Sequence, residues 1–196
     1  MSFTTREITF TAVFTAVASI SGLLLQLIPS ALVPFSLLPL IAMLAGGILG
    51  SKLGALSMTL YMILGLAGIP VLSRPPFGGL SYIFQPTFGF ILGFILCAYT
   101  SGKILEGNQE KEISYPRYLA AMLLGLAILY VTGLAYLYLI LHLYLGQDIG
   151  FIELLTLGFF PFILFDLAKA LIAVNLSRTL VKRIRPASLS KNKYFV

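Results

Sequence analysis

Apolar residues run along this chain in long blocks, separated by short clusters of proline, glycine and charge. Blocks this long and continuous differ from the narrow apolar stripe of a half-wetted helix and read as helices apolar on every side. The first block predicts a helix over 9–28, stopped by Pro29. A proline inside a helix removes a hydrogen bond and clashes with the preceding turn. Further helices follow over 37–50, 53–72, 90–102, 118–145 and 161–181, the last opening on Pro161. Proline suits that first turn, where its missing N–H leaves no helical bond unmade. A spanning helix needs about 20 apolar residues to cross about 30 Å of hydrocarbon. The second and third helices are short by that measure, and the fifth is long enough to tilt. At the junction of helices 2 and 3, Gly46, Gly47, Gly50 and Gly54 let backbones approach closely.

Segment 73–89 breaks the pattern. It contains Pro75, Pro76 and Pro86 with Gly78 and Gly79, yet it also carries Phe77, Tyr82, Phe84 and Phe88. The prolines and glycines oppose a regular helix, and the aromatics oppose a solvated linker. The expected arrangement is an ordered outer loop between helices 3 and 4, folded back onto the protein. The predicted fold is therefore all-α integral membrane, with six transmembrane helices in a single domain over 1–196.

Composition strengthens this picture. Only 10% of residues are charged, 59% are hydrophobic, and the mean hydropathy is +0.99. Soluble domains carry about 25% charged residues. Lipid is the solvent that suits such a chain, and six spans leave no room for a sizeable soluble domain. No small-residue cleavage site follows the first block, so it reads as a retained helix rather than a signal peptide.

The formal charge of +6 needs no nucleic acid to explain it. With the N-terminus inside, Arg6, Lys52, Lys103, Lys111 and Arg117 fall on the cytoplasmic side. So do Arg178, Lys182, Arg183, Arg185, Lys191 and Lys193, which leaves only Arg74 outside and Lys169 within a helix. The excess of Lys and Arg on cytoplasmic loops predicts that both termini lie in the cytoplasm.

Candidate chemistry concentrates in the last helix. Asp166 and Lys169 stand three positions apart and so share a helix face. Each ionisable residue near a helix centre costs at least about 2.5–3.5 kcal/mol to insert, so such residues usually have a partner or a role. One reading is an ion pair that satisfies itself. The other is a polar clamp in an apolar cavity open to the outside, Asp166 accepting N–H donors and Lys169 donating to a carbonyl or carboxylate. Arg74 is either a headgroup neighbour or a cation that meets an anionic solute at the mouth. Tyr82, Gln85 and Thr87 could add hydrogen bonds from the same loop.

Other signals point away from chemistry. His142 has no Cys, Asp or Glu at metal-ligand spacing, and with Tyr136, Tyr138 and Tyr144 it fits an interfacial aromatic belt. Cys97 is the single cysteine and sits in an apolar run, so it reads as an inert buried thiol without an intrachain disulfide. Asn175 reads as a packing residue. No phosphate loop, H-E-x-x-H or G-x-S-x-G motif occurs, so neither catalysis nor a metal or cofactor is expected.

The stretch Leu44-Ala45-Gly46-Gly47-Ile48-Leu49-Gly50-Ser51-Lys52-Leu53-Gly54-Ala55-Leu56-Ser57 carries a resemblance. It continues through Tyr61, Gly65, Gly68-Ile69-Pro70-Val71, Gly78-Gly79 and Pro86-Thr87-Phe88-Gly89-Phe90, and through Asp166 with Lys169. These residues resemble the BioY family, the substrate-binding S components of biotin energy-coupling factor (ECF) transporters. Val33-Pro34-Phe35-Ser36-Leu37-Leu38-Pro39 stands where that family often has Pro-x-Pro-Ile-Thr-x-Gln.

The resemblance implies an outward-facing biotin pocket, a membrane scaffold partner and a pair of ATPase subunits. It also implies a docking role for Ala12 and Ala16 in helix 1, which match the Ala-x-x-x-Ala pattern of such components. Two alternatives stand beside this reading. One is an S component for another small vitamin-like solute. The other is a membrane assembly protein in which Asp166 and Lys169 only fix helix packing.

Overall fold

The structure is a computed structural model, and it describes residues 4–27, 36–106 and 113–184. Among those residues it contains seven α-helices and no strand.

Helix α1 (Thr5–Gln26) begins on a capping box. The Glu7 N–H donates to Thr4 Oγ1 at 3.3 Å, and the Thr4 N–H donates to Glu7 Oε2 at 2.8 Å. Two helix-end donors are thereby satisfied reciprocally. Helix α2 (Leu38–Leu49) has Pro39 in its first turn and is joined to α3 (Ser51–Leu66) by Gly50 alone. Gly50 takes a φ of 84°, which lets the chain reverse within one residue. The first N–H and the hydroxyl of Ser51 both donate to Glu106 Oε1, at 2.8 and 2.6 Å. A carboxylate from the end of another helix thus caps α3, where the helix dipole favours negative charge.

Helix α3 ends earlier than the expected 53–72. Gly68 adopts a φ of 99°, and Pro70 has no N–H to continue a helix. Residues 67–87 then form the non-helical connection, with one 3-10 turn at Leu80–Phe84. Helix α4 (Phe88–Leu105) runs past both expected bounds, while α5 (Tyr115–Leu139) starts before the expected 118 and gives way to a π turn at Ile140–Tyr144 near the expected end.

The sequence reading left 146–158 as a connection, but Phe151–Gly158 is a short helix, α6. Its 8 residues are too few for periodicity to separate it from a loop. Glu153 starts it by accepting the Gly150 N–H at 3.3 Å. Helix α7 (Phe160–Ile184) follows with Pro161 in its first turn, as expected.

Four helical stretches are long and apolar enough to cross a membrane: Thr5–Gln26, Phe88–Leu105, Tyr115–Tyr144 and Phe160–Lys182. Helices α2 and α3 are apolar but shorter. Helix α4 is central, packing on α2, α3 and α5, while α7 packs on α2 and α5.

Small residues allow these approaches. A Cβ on Gly102 would overlap the backbone of Ser51, and one on Gly46 would overlap the Ala98 carbonyl. The polarity of α1 is inverted relative to a soluble helix. Its buried face holds Thr11, Thr15, Ser19, Ser21 and Gly22, while Ile8, Val13, Val17, Ile20 and Leu24 are exposed. In hydrocarbon this arrangement turns the aliphatics to lipid, while inside the Thr15 and Ser19 hydroxyls find backbone carbonyls. Thr15 Oγ1, for example, donates to Thr11 O and to Ser57 O, each at 3.0 Å.

Candidate functional site

A cavity of about 590 Å³ opens where the ends of α1, α2 and α3 meet the connection 67–87 and the facing sides of α4, α5 and α7. Its walls are largely apolar, from Leu25, Leu38, Pro39, Phe77, Ile91, Phe94, Leu129, Leu137 and Phe162. Aromatic Phe90 and Tyr130 line the same space. Apolar walls with a few placed polar groups are typical of small-molecule sites of this size, whose volumes run about 300–1,000 Å³.

Asp166 is the charged group on the deep wall, and both of its oxygens are engaged. Tyr130 Oη donates to Oδ2 at 2.6 Å, and Lys169 Nζ donates to Oδ1 at 2.7 Å. The Lys169 and Asp166 side chains are only 7% and 6% exposed, so the pair is compensated within the protein. Breaking one member of such a pair is far costlier than keeping both. Carboxylate oxygens have further acceptor capacity beyond these two bonds, and Asp166 is one of the residues that line the cavity. The Tyr130 ring is held edge-on by Phe159 at 4.9 Å and by Phe90 at 6.4 Å, which aims its hydroxyl.

Arg74, Tyr82 and Thr87 line the cavity from the connection between α3 and α4. Tyr82 is buried, and its hydroxyl lies 3.3 Å from Thr87 Oγ1. Burial pushes the Tyr82 phenol pKa up, opposed by the Thr87 hydroxyl and by Arg74 and Ser73, so the group stays protonated and able to donate.

The connection is tied down on several sides. The Gly79 N–H donates to Gly65 O at 2.8 Å, the Leu72 N–H donates to Phe77 O at 2.9 Å, and Tyr136 Oη donates to Ile83 O. Gln26 and Tyr61 also line the cavity and bond to carbonyls of this segment.

Of the residues singled out from sequence, the fold brings Asp166, Arg74, Tyr82 and Thr87 onto one cavity. Lys169 stands behind Asp166 and is not a wall residue. Gln85 is also off the wall, and its N–H closes the 3-10 turn on Tyr82 O at 3.0 Å. Ala12 and Ala16 lie on the exposed face of α1. Asn175 Nδ2 bonds within its own helix to Leu171 O, Cys97 is buried, and His142 stacks on Tyr138 at 5.3 Å. No group of three or more His, Cys, Asp or Glu side chains comes together among the described residues.

The sequence reading missed Tyr130, Gln26 and Tyr61 as site residues. Tyr130 is 36 positions from Asp166 and lies in a helix with several other tyrosines, so nothing local distinguishes it.

Comparison with known proteins places the fold and the family. The chain is 31% identical over 187 residues to a probable biotin transporter of Lysinibacillus sphaericus, covering 95% of this chain and 92% of the relative. It is 35% identical over 182 residues to the biotin transporter BioY of Thermotoga maritima, covering 91% and 99%. The crystal structure of an S-component for biotin from an ECF-type ABC transporter superposes with a TM-score of 0.74 at 25% identity, over 94% of this chain and 96% of that one. The sequence profile of the BioY family matches residues 1–186, and the chain belongs to that family.

Proposed function

We propose that this chain is the S component that captures biotin for uptake by an ECF-type transporter. It is a membrane-integral binding subunit and not an enzyme. The observation that carries the reading is the Asp166 carboxylate, paired with Lys169 and bonded by Tyr130 on the wall of a largely apolar cavity. Biotin matches this chemistry. Its ureido N–H groups suit the open acceptor sites of Asp166, its ring and valeryl arm suit the apolar walls, and its carboxylate suits Arg74 at the mouth. Tyr82 and Thr87 offer hydroxyls along the way. Lys169 serves first as the residue that pairs with Asp166 and orients it, and a small shift of its ammonium would let it donate to the ureido carbonyl. Gln85 acts through the 3-10 turn that presents Tyr82 rather than by touching solute.

Six helices span the membrane in this reading: α1, the short pair α2 and α3, then α4, α5 and α7. Both termini lie in the cytoplasm in this reading, which the distribution of Lys and Arg supports. The cavity and the connection 67–87 then face outward. Energy comes from a membrane scaffold subunit and two ATPase subunits, with the exposed Ala12 and Ala16 of α1 giving the scaffold a flat surface.

The test is calorimetric titration of the purified full chain with biotin and with a panel of other small vitamins. Biotin should saturate at one site and the others should not. Saturation by a different vitamin, with none by biotin, would replace the assigned solute.

A further inference from the structure

We propose that Gln26, the last residue of α1, is the latch that holds the cavity's cover shut, so that the orientation of α1 controls the release of solute. This rests on the binding reading above. The carboxamide Nε2 of Gln26 donates to Pro70 O at 2.5 Å and to Leu72 O at 2.9 Å, reaching across from α1 to the segment that follows α3. Tyr61 Oη, from α3, donates to the intervening Val71 O at 3.3 Å. Gly22, one turn before Gln26, lies so close to the Val71 carbonyl that a Cβ there would overlap it. Three consecutive carbonyls, on Pro70, Val71 and Leu72, are therefore gripped between α1 and α3.

The gripped strand is continuous with the mouth. Leu72 is bonded to Phe77 O, and between them lies Arg74; Phe77 and Arg74 both line the cavity. Gln26 lines it too, but its amide hydrogens are spent on the cover rather than on the space inside. Helix α1 is unbroken from Thr5 to Gln26; its large side chains on the core, Phe10 and Phe14, lie in its first half, while from Thr15 to Gly22 its buried residues are Thr15, Ala18, Ser19, Ser21 and Gly22. The half of this face that leads to Gln26 can therefore reorient without pulling large side chains out of sockets. Movement of the exposed Ala12 and Ala16 face must carry Gln26 with it, and with Gln26 the cover. Gln26 is accordingly a positioning residue that acts through the cover.

The experiment uses the full chain in nanodiscs, with Gln26→Glu and Gln26→Leu compared with the unmodified protein. Gln26→Glu keeps the shape but replaces the donor with an acceptor facing carbonyls. Gln26→Leu removes the polar contact while keeping apolar bulk. Amide hydrogen exchange is measured without ligand, and the dissociation rate of labelled biotin is measured separately. Both variants should raise exchange over 67–79 by about tenfold, as expected when paired hydrogen bonds to the backbone are lost, with α5 unchanged. Biotin dissociation should accelerate by a similar factor, with a much smaller change in the association rate. Exchange and dissociation equal to the unmodified protein in both variants would overturn the latch. If the unmodified chain bound no biotin, the assignment of solute would fail, while exchange of the ligand-free cover would still decide the latch.

Discussion

At the scale of single residues, the site turns on how a buried carboxylate is partnered inside an apolar wall. Asp166 has Lys169 on one oxygen and Tyr130 on the other, and each partner does different work. Lys169 compensates the charge, while Tyr130 compensates no charge and fixes direction. Removing either member of a buried charged contact typically costs about 2–5 kcal/mol of binding, so Asp166→Asn and Lys169→Ala should each weaken biotin affinity by well over tenfold. Tyr130→Phe removes one hydrogen bond to a charged group, worth about 1.5–3 kcal/mol, and should weaken it less than Asp166→Asn. Titration calorimetry gives the ranking. Unchanged affinity in both Asp166→Asn and Lys169→Ala would leave the pair as a packing device. The pair itself was legible in the sequence because charges are rare in apolar helices. Tyr130 was not, since its partner comes from a different helix.

At the scale of elements, close backbone contact decides how the helices meet. Gly102 of α4 lies against the Gly50–Ser51 corner between α2 and α3, and Glu106 at the end of α4 caps the start of α3. Gly102→Leu must push this corner away from α4. Overpacking of this kind costs about 1–3 kcal/mol and more where backbone is the obstacle, so the variant should unfold at lower temperature in detergent than the unmodified chain. An equal melting temperature would show that the corner yields easily. Helix α1 offers the contrasting case, because its outer face packs on nothing described here. Ala12→Leu and Ala16→Leu should leave biotin titration normal while reducing recovery of the scaffold subunit in pull-down. Loss of biotin binding with normal recovery would place α1 at the cavity wall instead.

At the scale of the whole molecule, the cavity is a junction and belongs to no single helix. Its walls come from all seven α-helices and from the connection 67–87, so bound solute should tie these elements together. Saturating biotin should raise amide protection over 67–87 and in the first half of α7, because contacts made only in the closed state shift the population towards it. The first half of α5, remote from the mouth, should exchange as before. Equal exchange in 67–87 with and without biotin would show a cover that plays no part in retention.

What the sequence by itself determined is the solvent and the segments. Long uncharged runs can be stable only in lipid, and prolines and glycines mark where such runs are interrupted, although the stop at Gly68 and Pro70 falls inside the helix expected over 53–72. It also exposed Asp166 and Lys169, because a charge in hydrocarbon is conspicuous on cost alone. Helix α6 lay below the reach of pattern, since 8 mostly apolar residues satisfy a loop and a helix equally well. Tertiary structure alone decided that Asp166 faces the cavity and Lys169 stands behind it. The two share a helix face, and only the neighbouring helices define which part of that face borders empty space. The same holds for Gln26 and Tyr61, whose side chains act on carbonyls far along the chain. Such backbone acceptors are present at every residue, so no pattern of residue types can point to them.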